Sequence, residues 1–249
     1  MTSRAASPVV LFDLDDTLMA HREAVAAGIV LQMQERAYDG DHAAAQQLWH
    51  ELEEHHYHAY LAGEVSFVGQ RLARVTAFAL AHGEELDEPA AGVWFEHYFE
   101  RYRESWTLHD DALEALDAVA TALPGVRFGV ITNGELDQQS MKLERLELLP
   151  RMAHVIASSE VGVVKPGAEI FRAARDRFAT DAPVSACAYV GDRLRTDAIG
   201  AASAGLLGVW LNRRGESLGA DDGAAAAASG VVEIRSLREL AGALTDRFA

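Results

Sequence analysis

The sequence predicts an α/β protein whose parallel sheet is interrupted by an all-helical insertion. Short apolar runs rich in β-branched residues recur along the chain, and such runs are typical of strands buried on both faces of a parallel sheet. Segments with helical spacing separate these runs, which indicates right-handed strand–helix–strand units. One long stretch near the N-terminus keeps helical spacing and has no strand-like run. In such sheets, binding sites form at the carboxyl ends of the strands.

Six apolar runs are predicted to be the strands of this sheet. A loop is predicted between the last two, because that stretch is rich in Ala, Gly, Asp and Ser. The six runs are 9–12, 126–131, 154–157, 186–190, 207–211 and, more weakly, 231–234, and the predicted loop is 215–230.

Residues 20–105 are predicted to form about four helices, inserted directly after the first strand. An insertion at this point would lie over the strand ends, where a cap or lid belongs. We therefore expect a core domain made of residues 1–18 and 107–249, and a helical cap domain of residues 19–106. The cap contains aromatic residues that could stack on a base, but their helical spacing favours a core role. These residues are Trp94, Phe95, Tyr98, Phe99 and Tyr102.

The composition excludes several classes of protein. The 249 residues include 22 Lys+Arg and 38 Asp+Glu, for a formal net charge of −16. Such acidity argues against nucleic-acid partners and against adsorption to an anionic membrane. The single cysteine, Cys187, rules out an intrachain disulfide and argues against a cysteine-based zinc site. Residues 1–8 lack the apolar centre of a signal peptide, and no apolar run approaches the ~18 residues of a membrane span, so a cytoplasmic location is expected.

The first predicted strand ends in a group of carboxylates. If the strand continues, its two-residue period places Asp13 and Asp15 on one side. Two ionised carboxylates that close repel each other, so either one binds a proton or a cation lies between them. A cation would make a Mg²⁺ site and a proton would make a general acid. The alternative is that Asp16 and Thr17, with their neighbours, only cap a following helix.

Polar residues also follow the next strands. Thr132, Asn133 and Gly134 could present several donors to an anion, or form an ordinary strand-to-helix turn. Lys165 precedes Pro166, which favours the first position of a helix beginning at about residue 168. A lysine held there could stabilise a bound anion, although a lone lysine is usually a surface residue.

A fourth strand end adds two more carboxylates. Asp192 follows the apolar run 186–190 directly, and Asp197 comes five residues later, near the head of a helix. Both could be further Mg²⁺ ligands. Alternatively, Arg193 and Arg195 could pair with them in a surface network.

The order of these four motifs is more specific than any one of them. With its carboxylate pair, Thr-Asn, Lys-Pro and Gly-Asp followed by a second Asp, the sequence resembles the haloacid dehalogenase-like (HAD) hydrolase superfamily. The resemblance covers essentially the whole chain, including the helical cap between the first and second motifs. It implies a Rossmann-like core with helices on both faces of the sheet. The matching residues are Asp13, Asp15, Thr17, Thr132, Lys165, Asp192 and Asp197.

The resemblance implies catalytic roles for the first motif. Asp13 would be a nucleophile that forms an aspartyl-phosphate, and Asp15 would protonate the leaving alkoxide and then activate water. Mg²⁺ would be held by the Asp13 carboxylate, the Asp15 backbone carbonyl and Asp192. Asp197 would bind the metal directly or through water.

The resemblance also implies a phosphate-binding group. Thr132 and the backbone N–H of Asn133 would bind the phosphoryl oxygens. Lys165 would offset the charge on Asp13 and on the phosphate.

Asp15 separates the reactions within the superfamily. Dehalogenases resemble this chain elsewhere but lack the second aspartate, because they have no alkoxide to protonate. The sequence is therefore similar to a phosphatase. A phosphomutase would use the same acid, but the cap has no lysine and few arginines for a second phosphate. A haloacid dehalogenase and a non-catalytic member that binds a phosphorylated ligand or a protein remain the alternatives.

The cap is expected to select the substrate. The turn at residues 61–66 loosely resembles that of members acting on nucleoside monophosphates and phosphorylated sugars. Residues 19–106 carry 15 Asp+Glu and 6 Arg, so more than half of the acidic excess lies in this part of the chain. We expect a small, singly phosphorylated metabolite as the partner, and a monomer or a homodimer.

Overall fold

The computed structural model describes residues 5–248, in two compact units. One unit contains the residues up to Ala20 and those from Leu108 onward, and the other is His21–Thr107. These boundaries differ by one or two residues from the predicted ranges, 1–18 with 107–249 and 19–106. Residues 1–4 and 249, which the sequence assigns to the core domain, lie outside the described residues.

The first unit contains a six-stranded sheet in which every pair of neighbours is parallel, in the order β3-β2-β1-β4-β5-β6. All six predicted strands are confirmed, with their ends within two residues. The strand order reverses at β1, which pairs with β2 on one side and β4 on the other. Such a switch point opens a crevice at the carboxyl ends of the strands. The strands are β1 Ser7–Phe12, β2 Arg127–Thr132, β3 Met152–Ala157, β4 Val184–Gly191, β5 Leu207–Leu211 and β6 Val232–Ile234.

The second unit consists of four helices, as the sequence predicts. Three of them begin at a side chain that accepts a hydrogen bond from the backbone three residues later, which satisfies one free N–H of the first turn. These N-cap residues are Asp41, Ser66 and Asp87. The helices are α1 His21–Arg36, α2 His42–Leu61, α3 Phe67–Ala81 and α4 Glu88–Glu104.

The aromatic residues of α4 form the core of the helical unit. Trp94 and Tyr98 are almost fully buried, and both rings contact the ring of Trp49 on α2. Phe95 and Tyr102 are also buried. The predicted core role of these rings is confirmed for these four residues.

Helices and short helical segments connect the strands of the first unit. They are α5 Ala112–Ala122, α6 Leu136–Arg145, α7 Ser158–Val161, α8 Ala168–Asp181, α9 Gly200–Ser203, α10 Ala220–Ser229 and α11 Leu240–Phe248. The short segments are a π-helical one, Leu194–Ile199, and two 3-10 turns, Leu149–Arg151 and Leu237–Glu239.

The central strand anchors the core of this unit. Residues 9–12 of β1 are fully buried. Val9 and Leu11 belong to a cluster that includes Phe171 and Phe178 of α8. Period two places Phe12 on the other face of the strand, where its ring contacts Phe128 of β2. Because β1 is buried on both faces, the position of the next residue, Asp13, is fixed by the sheet.

The structure differs from the sequence-based prediction at two connections. The loop predicted for residues 215–230 is wrong, because 220–229 form α10. Its run of alanines has the highest intrinsic helix propensity, and Ala226 packs against a cluster containing Leu194 and Trp210. Pro166 does not occupy the first helical position: a turn closed by the Gly167 N–H and the Val164 carbonyl comes first, and α8 begins at Ala168.

No helix within residues 5–248 combines the length and the apolar character needed to cross a membrane.

Gly208 on β5 sets how closely the strand approaches the π-helical segment. A Cβ atom at this position would lie 2.0 Å from the carbonyl oxygen of Ala198. The obstacle is backbone, which cannot rotate away as a side chain can. A side chain here would therefore displace the segment 194–199.

We predict that Gly208→Ala lowers the free energy of unfolding by about 2–3 kcal/mol, the upper range for overpacking a core. Urea unfolding followed by circular dichroism measures this change. Gly223→Ala, on the helix α10 with nothing within 4 Å of the new Cβ, is the matched control, and it is expected to be neutral or stabilising by up to about 1 kcal/mol. Equal stability of the two variants would contradict the packing argument.

Candidate active site

Asp13 stands at the switch point, immediately after β1. Its backbone N–H donates to the carbonyl of Val190 on β4, 2.8 Å away, which extends the parallel ladder by one residue. The strand itself ends at Phe12, so the alternation predicted to continue to Asp15 stops there. Asp16 has a positive φ of 61°, and the chain turns. Asp13 is thus held by the sheet while Asp15 lies on a turn.

Lys165 forms the centre of the site. Its ammonium group is buried, and each of its three N–H bonds has a partner. Nζ lies 2.6 Å from Oδ1 of Asp13, 2.7 Å from the hydroxyl of Tyr189 and 2.8 Å from Oδ1 of Asp197. The Tyr189 hydroxyl in turn donates to the backbone carbonyl of Ile131, at 3.0 Å. This lysine is therefore not a surface residue: it joins the ends of β1 and β4 to the segment that follows β4.

Asn133 fixes the backbone of this lysine. Its Oδ1 accepts from the Lys165 N–H at 2.6 Å, and its Nδ2 donates to the Lys165 carbonyl at 3.0 Å. Both residues are buried, as is Thr132 at the end of β2. The side chain of Asn133 therefore links the second and third motifs, a role that its place in the sequence did not predict.

Asp15 is held by α6. Nζ of Lys142 lies 2.6 Å from Oδ1 and 2.8 Å from Oδ2 of Asp15, and Nε2 of Gln139 lies 3.4 Å from Oδ2. The Lys142 side chain is 7% exposed and that of Asp15 is 30% exposed. Each carboxylate of the first motif is therefore paired with its own buried ammonium group, Lys165 for Asp13 and Lys142 for Asp15.

The last two carboxylates approach from beyond β4. Asp197 is 1% exposed, and its Oδ2 accepts from the Arg193 N–H at 2.9 Å. Its carboxylate packs on Gly191, where a Cβ would lie 2.5 Å from the Asp197 side chain. Asp192 is held by its backbone, because its carbonyl accepts from Nε1 of Trp210 at 3.0 Å. The alternative, a surface network of Arg193 and Arg195 with these two aspartates, does not hold for Arg195, whose guanidinium group pairs with Asp222 on α10.

Burial and neighbouring carboxylates raise the pKa values of two aspartates in the site. Burial raises the pKa of Asp13 to about 6, with the charges of Asp197 and Asp15 acting in the same direction and Lys165 against them. Burial also raises the pKa of Asp192 well above its usual range, reinforced by Asp197 and Asp13. Burial alone would lower the pKa of Lys165, but the two carboxylates beside it outweigh that effect and hold it well above its usual value. The ammonium group therefore stays charged.

Three of the carboxylates fit a hard divalent cation. Asp13, Asp192 and Asp197 each offer an oxygen, and these oxygens lie within 4.8 Å of one another. Carboxylate oxygens are the ligands that Mg²⁺ prefers. With Asp15 the site holds four carboxylates, and two lysine ammonium groups contact three of them, so acidic groups outnumber these cations.

The structure brings together seven of the eight residues that the sequence singled out: Asp13, Asp15, Thr132, Asn133, Lys165, Asp192 and Asp197. The eighth, Thr17, is buried in the turn after β1, and its backbone carbonyl accepts a hydrogen bond from Arg213. The structure also adds three that the sequence analysis missed. Tyr189 is a polar residue inside an otherwise apolar buried strand, and a phenol in such a place usually has a hydrogen-bond partner. Lys142 and Gln139 stand three residues apart on one face of α6. The signal for Lys142 was its rarity, since the chain has two lysines and 20 arginines.

Comparison with known proteins agrees with this geometry. The haloacid dehalogenase-like hydrolase family matches residues 8–205. The pyrimidine 5'-nucleotidase YjjG of Escherichia coli is 32% identical over 150 residues, which are 55% of this chain and 62% of that protein. The match thus spans less than two thirds of this relative.

Two solved structures share the fold across nearly the whole chain. The putative HAD-hydrolase YfnB from Bacillus subtilis, bound to magnesium, superposes with a TM-score of 0.78 at 21% identity, and the match covers 96% of this chain and 99% of that one. A 2-haloacid dehalogenase from Pseudomonas syringae gives 0.62 at 23% identity, with 98% and 100% covered. At these identities the likeness concerns the fold alone. Because the family match covers most of the sequence and contains every residue of the site, the chain belongs to the haloacid dehalogenase-like hydrolase family.

Proposed function

We propose that this protein is a Mg²⁺-dependent phosphatase that hydrolyses small phosphomonoesters through an aspartyl-phosphate on Asp13. The observation that carries the proposal is the pair of carboxylates at the end of β1, each bound by its own buried lysine. One carboxylate is rigidly placed to attack, and the other lies on a turn with its side chain partly exposed.

In the proposed reaction, Asp13 is the nucleophile and Asp15 is the general acid and then the general base. Asp13 attacks phosphorus, the bond from phosphorus to the ester oxygen breaks, and the electron pair stays on that oxygen, which takes a proton from Asp15. Asp15 then accepts a proton from water as the water attacks the aspartyl-phosphate. The bond from phosphorus to Asp13 breaks, and inorganic phosphate leaves. Both aspartates return to their starting states.

Other residues of the site bind charge and hold geometry. The Thr132 hydroxyl and the Asn133 backbone N–H are proposed to bind phosphoryl oxygens. The Lys165 ammonium offsets the charge of Asp13 and of the incoming phosphate. Mg²⁺, when bound, would screen the two anions that have to meet. The Asp13 carboxylate, the Asp15 carbonyl and Asp192 would hold it.

Asp197 has two proposed roles, one toward Lys165 and one toward the metal. Its oxygens already accept from Lys165 and from the Arg193 N–H, and each oxygen keeps lone-pair capacity for a metal or for a metal-bound water. We propose that it orients the lysine and completes the cation site.

The choice of phosphatase over dehalogenase rests on Asp15. A halide leaves without a proton, whereas an alkoxide needs one, so only ester hydrolysis makes use of a second acid. Its pairing with Lys142 and Gln139 gives that acid a defined position. The named activity of the Escherichia coli relative, pyrimidine 5'-nucleotidase, also favours the phosphatase.

We propose a nucleoside monophosphate or a sugar phosphate as the substrate class. The helical unit is strongly acidic, and it has no lysine. Three of its arginines are engaged: Arg74 is buried and pairs with Glu53, Arg36 pairs with Glu84, and Arg101 pairs with Glu35. Such a surface suits a singly phosphorylated metabolite and opposes a bisphosphate.

Replacing Asp13 tests whether it is the nucleophile. The protein is expected to release p-nitrophenol from p-nitrophenyl phosphate in the presence of Mg²⁺. Asp13→Asn is expected to reduce kcat at least about 10³-fold, because a carboxamide cannot replace the carboxylate as the nucleophile that forms the acyl phosphate. Spectrophotometric assays of both proteins measure this, with Asp246→Asn, an exposed aspartate of α11, as the matched control.

The outcomes separate the three hypotheses. Phosphate release that persists in Asp13→Asn contradicts the proposed nucleophile. Chloride release from 2-chloropropionate would favour a dehalogenase. No turnover with any divalent metal or with a panel of phosphorylated metabolites would favour a non-catalytic phospho-ligand-binding protein.

We also predict that Mg²⁺ stabilises the protein less at low pH than at neutral pH. Because the pKa of Asp13 is raised to about 6 and that of Asp192 is also raised, protons compete with Mg²⁺ below about pH 6. In the metal-free protein a raised carboxyl pKa favours folding at low pH, and this contribution is lost as pH rises from about 4 to about 6. The rise in Tm on adding Mg²⁺ should therefore be larger at pH 7.5 than at pH 5.0.

Differential scanning calorimetry with 5 mM MgCl₂, or with EDTA and no added metal, measures this difference, because a ligand that binds only the folded state raises Tm. Asp192→Asn should remove most of the Mg²⁺-dependent shift at pH 7.5, and Asp246→Asn should leave it intact. A shift of equal size at both pH values would show that these carboxylates do not compete with the metal.

A further inference from the structure

Lys142 has contacts that the proposed roles of the other residues do not explain. Its ammonium group is within hydrogen-bond distance of both oxygens of Asp15, at 2.6 and 2.8 Å. Lys165 instead contacts Asp13, Asp197 and Tyr189. The two lysines of the chain thus serve different carboxylates.

The position of Lys142 follows from the second motif. β2 ends at Thr132, and α6 begins four residues later at Leu136. Gln139 and Lys142 lie three residues apart on α6, so both side chains reach Asp15 from one helix face. The strand–helix unit that carries the proposed phosphate-binding residues therefore also holds Asp15.

Backbone hydrogen bonds close the turn that carries Asp15, among them the one from the Asp16 N–H to the Met19 carbonyl at 2.8 Å, so support is needed only for the side chain of Asp15. Asp15 lies beyond the end of β1, next to Asp16 with its positive φ, and its side chain is 30% exposed. An aspartate on a turn can rotate about two side-chain bonds, and a proton donor works only when its oxygen faces the leaving group. A buried lysine that contacts both oxygens restricts that rotation.

We infer that Lys142 is a positioning residue that fixes the Asp15 carboxylate for proton transfer to the leaving group, with Gln139 as a weaker second contact. The inference rests on the phosphatase proposed above and deepens it. A lysine suits the place, because the compact ammonium group at the end of a buried side chain lies within hydrogen-bond distance of both oxygens of one carboxylate.

The inference predicts a dependence on the leaving group. p-Nitrophenolate leaves without a proton, whereas an alkoxide requires the proton of Asp15. Lys142→Met is expected to lower kcat/KM for ethyl phosphate about 100-fold, the lower end of the range for general acid catalysis, and for p-nitrophenyl phosphate less than about threefold. KM should change little, because the variant removes an interaction that acts in the transition state.

Lys142→Arg and Arg145→Met are the companion variants. Arginine keeps the charge and two donors, and should restore kcat/KM for ethyl phosphate to within about tenfold of the wild type. Arg145 is exposed at the end of the same helix, and its replacement should leave both substrates unaffected. Thermal melts of all variants check folding.

A spectroscopic test needs no substrate. Protein labelled with ¹³C at lysine Cε should give two lysine signals, because the chain has two lysines. Lys142→Arg removes and so assigns one of them. Asp15→Asn should shift the Lys142 signal and leave that of Lys165 in place, and Asp13→Asn should do the opposite.

The outcomes distinguish this inference from the proposed function. If the wild type hydrolyses both esters but Lys142→Met lowers the two kcat/KM values by the same factor, the positioning role is wrong and the phosphatase stands. Insensitivity of the Lys142 signal to Asp15→Asn also overturns it. Lack of hydrolysis by the wild type overturns the proposed function itself.

Discussion

The ammonium group of Lys165 is the interaction on which the site depends. A buried lysine is stable only when its charge and its three N–H bonds are all satisfied. Here Asp13, Asp197 and Tyr189 satisfy them together. These partners stand at the ends of β1 and β4 and in the segment after β4, so one cation determines how closely those elements approach. Conversely, two carboxylates this close would repel each other without the cation between them.

The surroundings show how the chain builds that pocket. The side chain of Asn133, which follows β2, forms two hydrogen bonds with the Lys165 backbone. The Tyr189 hydroxyl donates to the Ile131 carbonyl on β2. Gly191 leaves space for the Asp197 carboxylate, and Gly208 lets β5 approach the segment that carries it. The geometry of the site is thus set partly by two positions with no side chain. A change at either one would act on the site through displacement, without altering any charge.

How much the sequence predicts follows from the kind of signal each residue gives. Asp13, Asn133 and Asp192 directly follow continuous apolar runs, and a parallel sheet brings such positions to one edge, so both the strands and these site residues are predictable. Lys142 acts through a contact between a helix and a turn, which no strand periodicity reports. The partner of Asp15 could not be predicted for the same reason, because Asp15 lies on the turn after β1 and not on a strand. Helix α10 was missed because its Gly and Asp residues suggested a loop, whereas packing of Ala226 and alanine propensity decided the outcome.

The two lysines of this acidic chain occupy different positions from its arginines. Twenty arginines supply the other cationic side chains, and those described in ion pairs, such as Arg238 and Arg195, are largely surface residues. A guanidinium group is planar and presents several donors, so it pairs with carboxylates at the surface and also in buried or partly buried ion pairs such as Arg74–Glu53 and Arg213–Asp111. An ammonium group is compact and can sit among several oxygens at once. Both lysines therefore contact carboxylates of the candidate site, while arginines such as Arg74, Arg195 and Arg238 form ion pairs elsewhere in the fold. The acidic groups that outnumber the lysines at the strand ends are those that a divalent cation would bind.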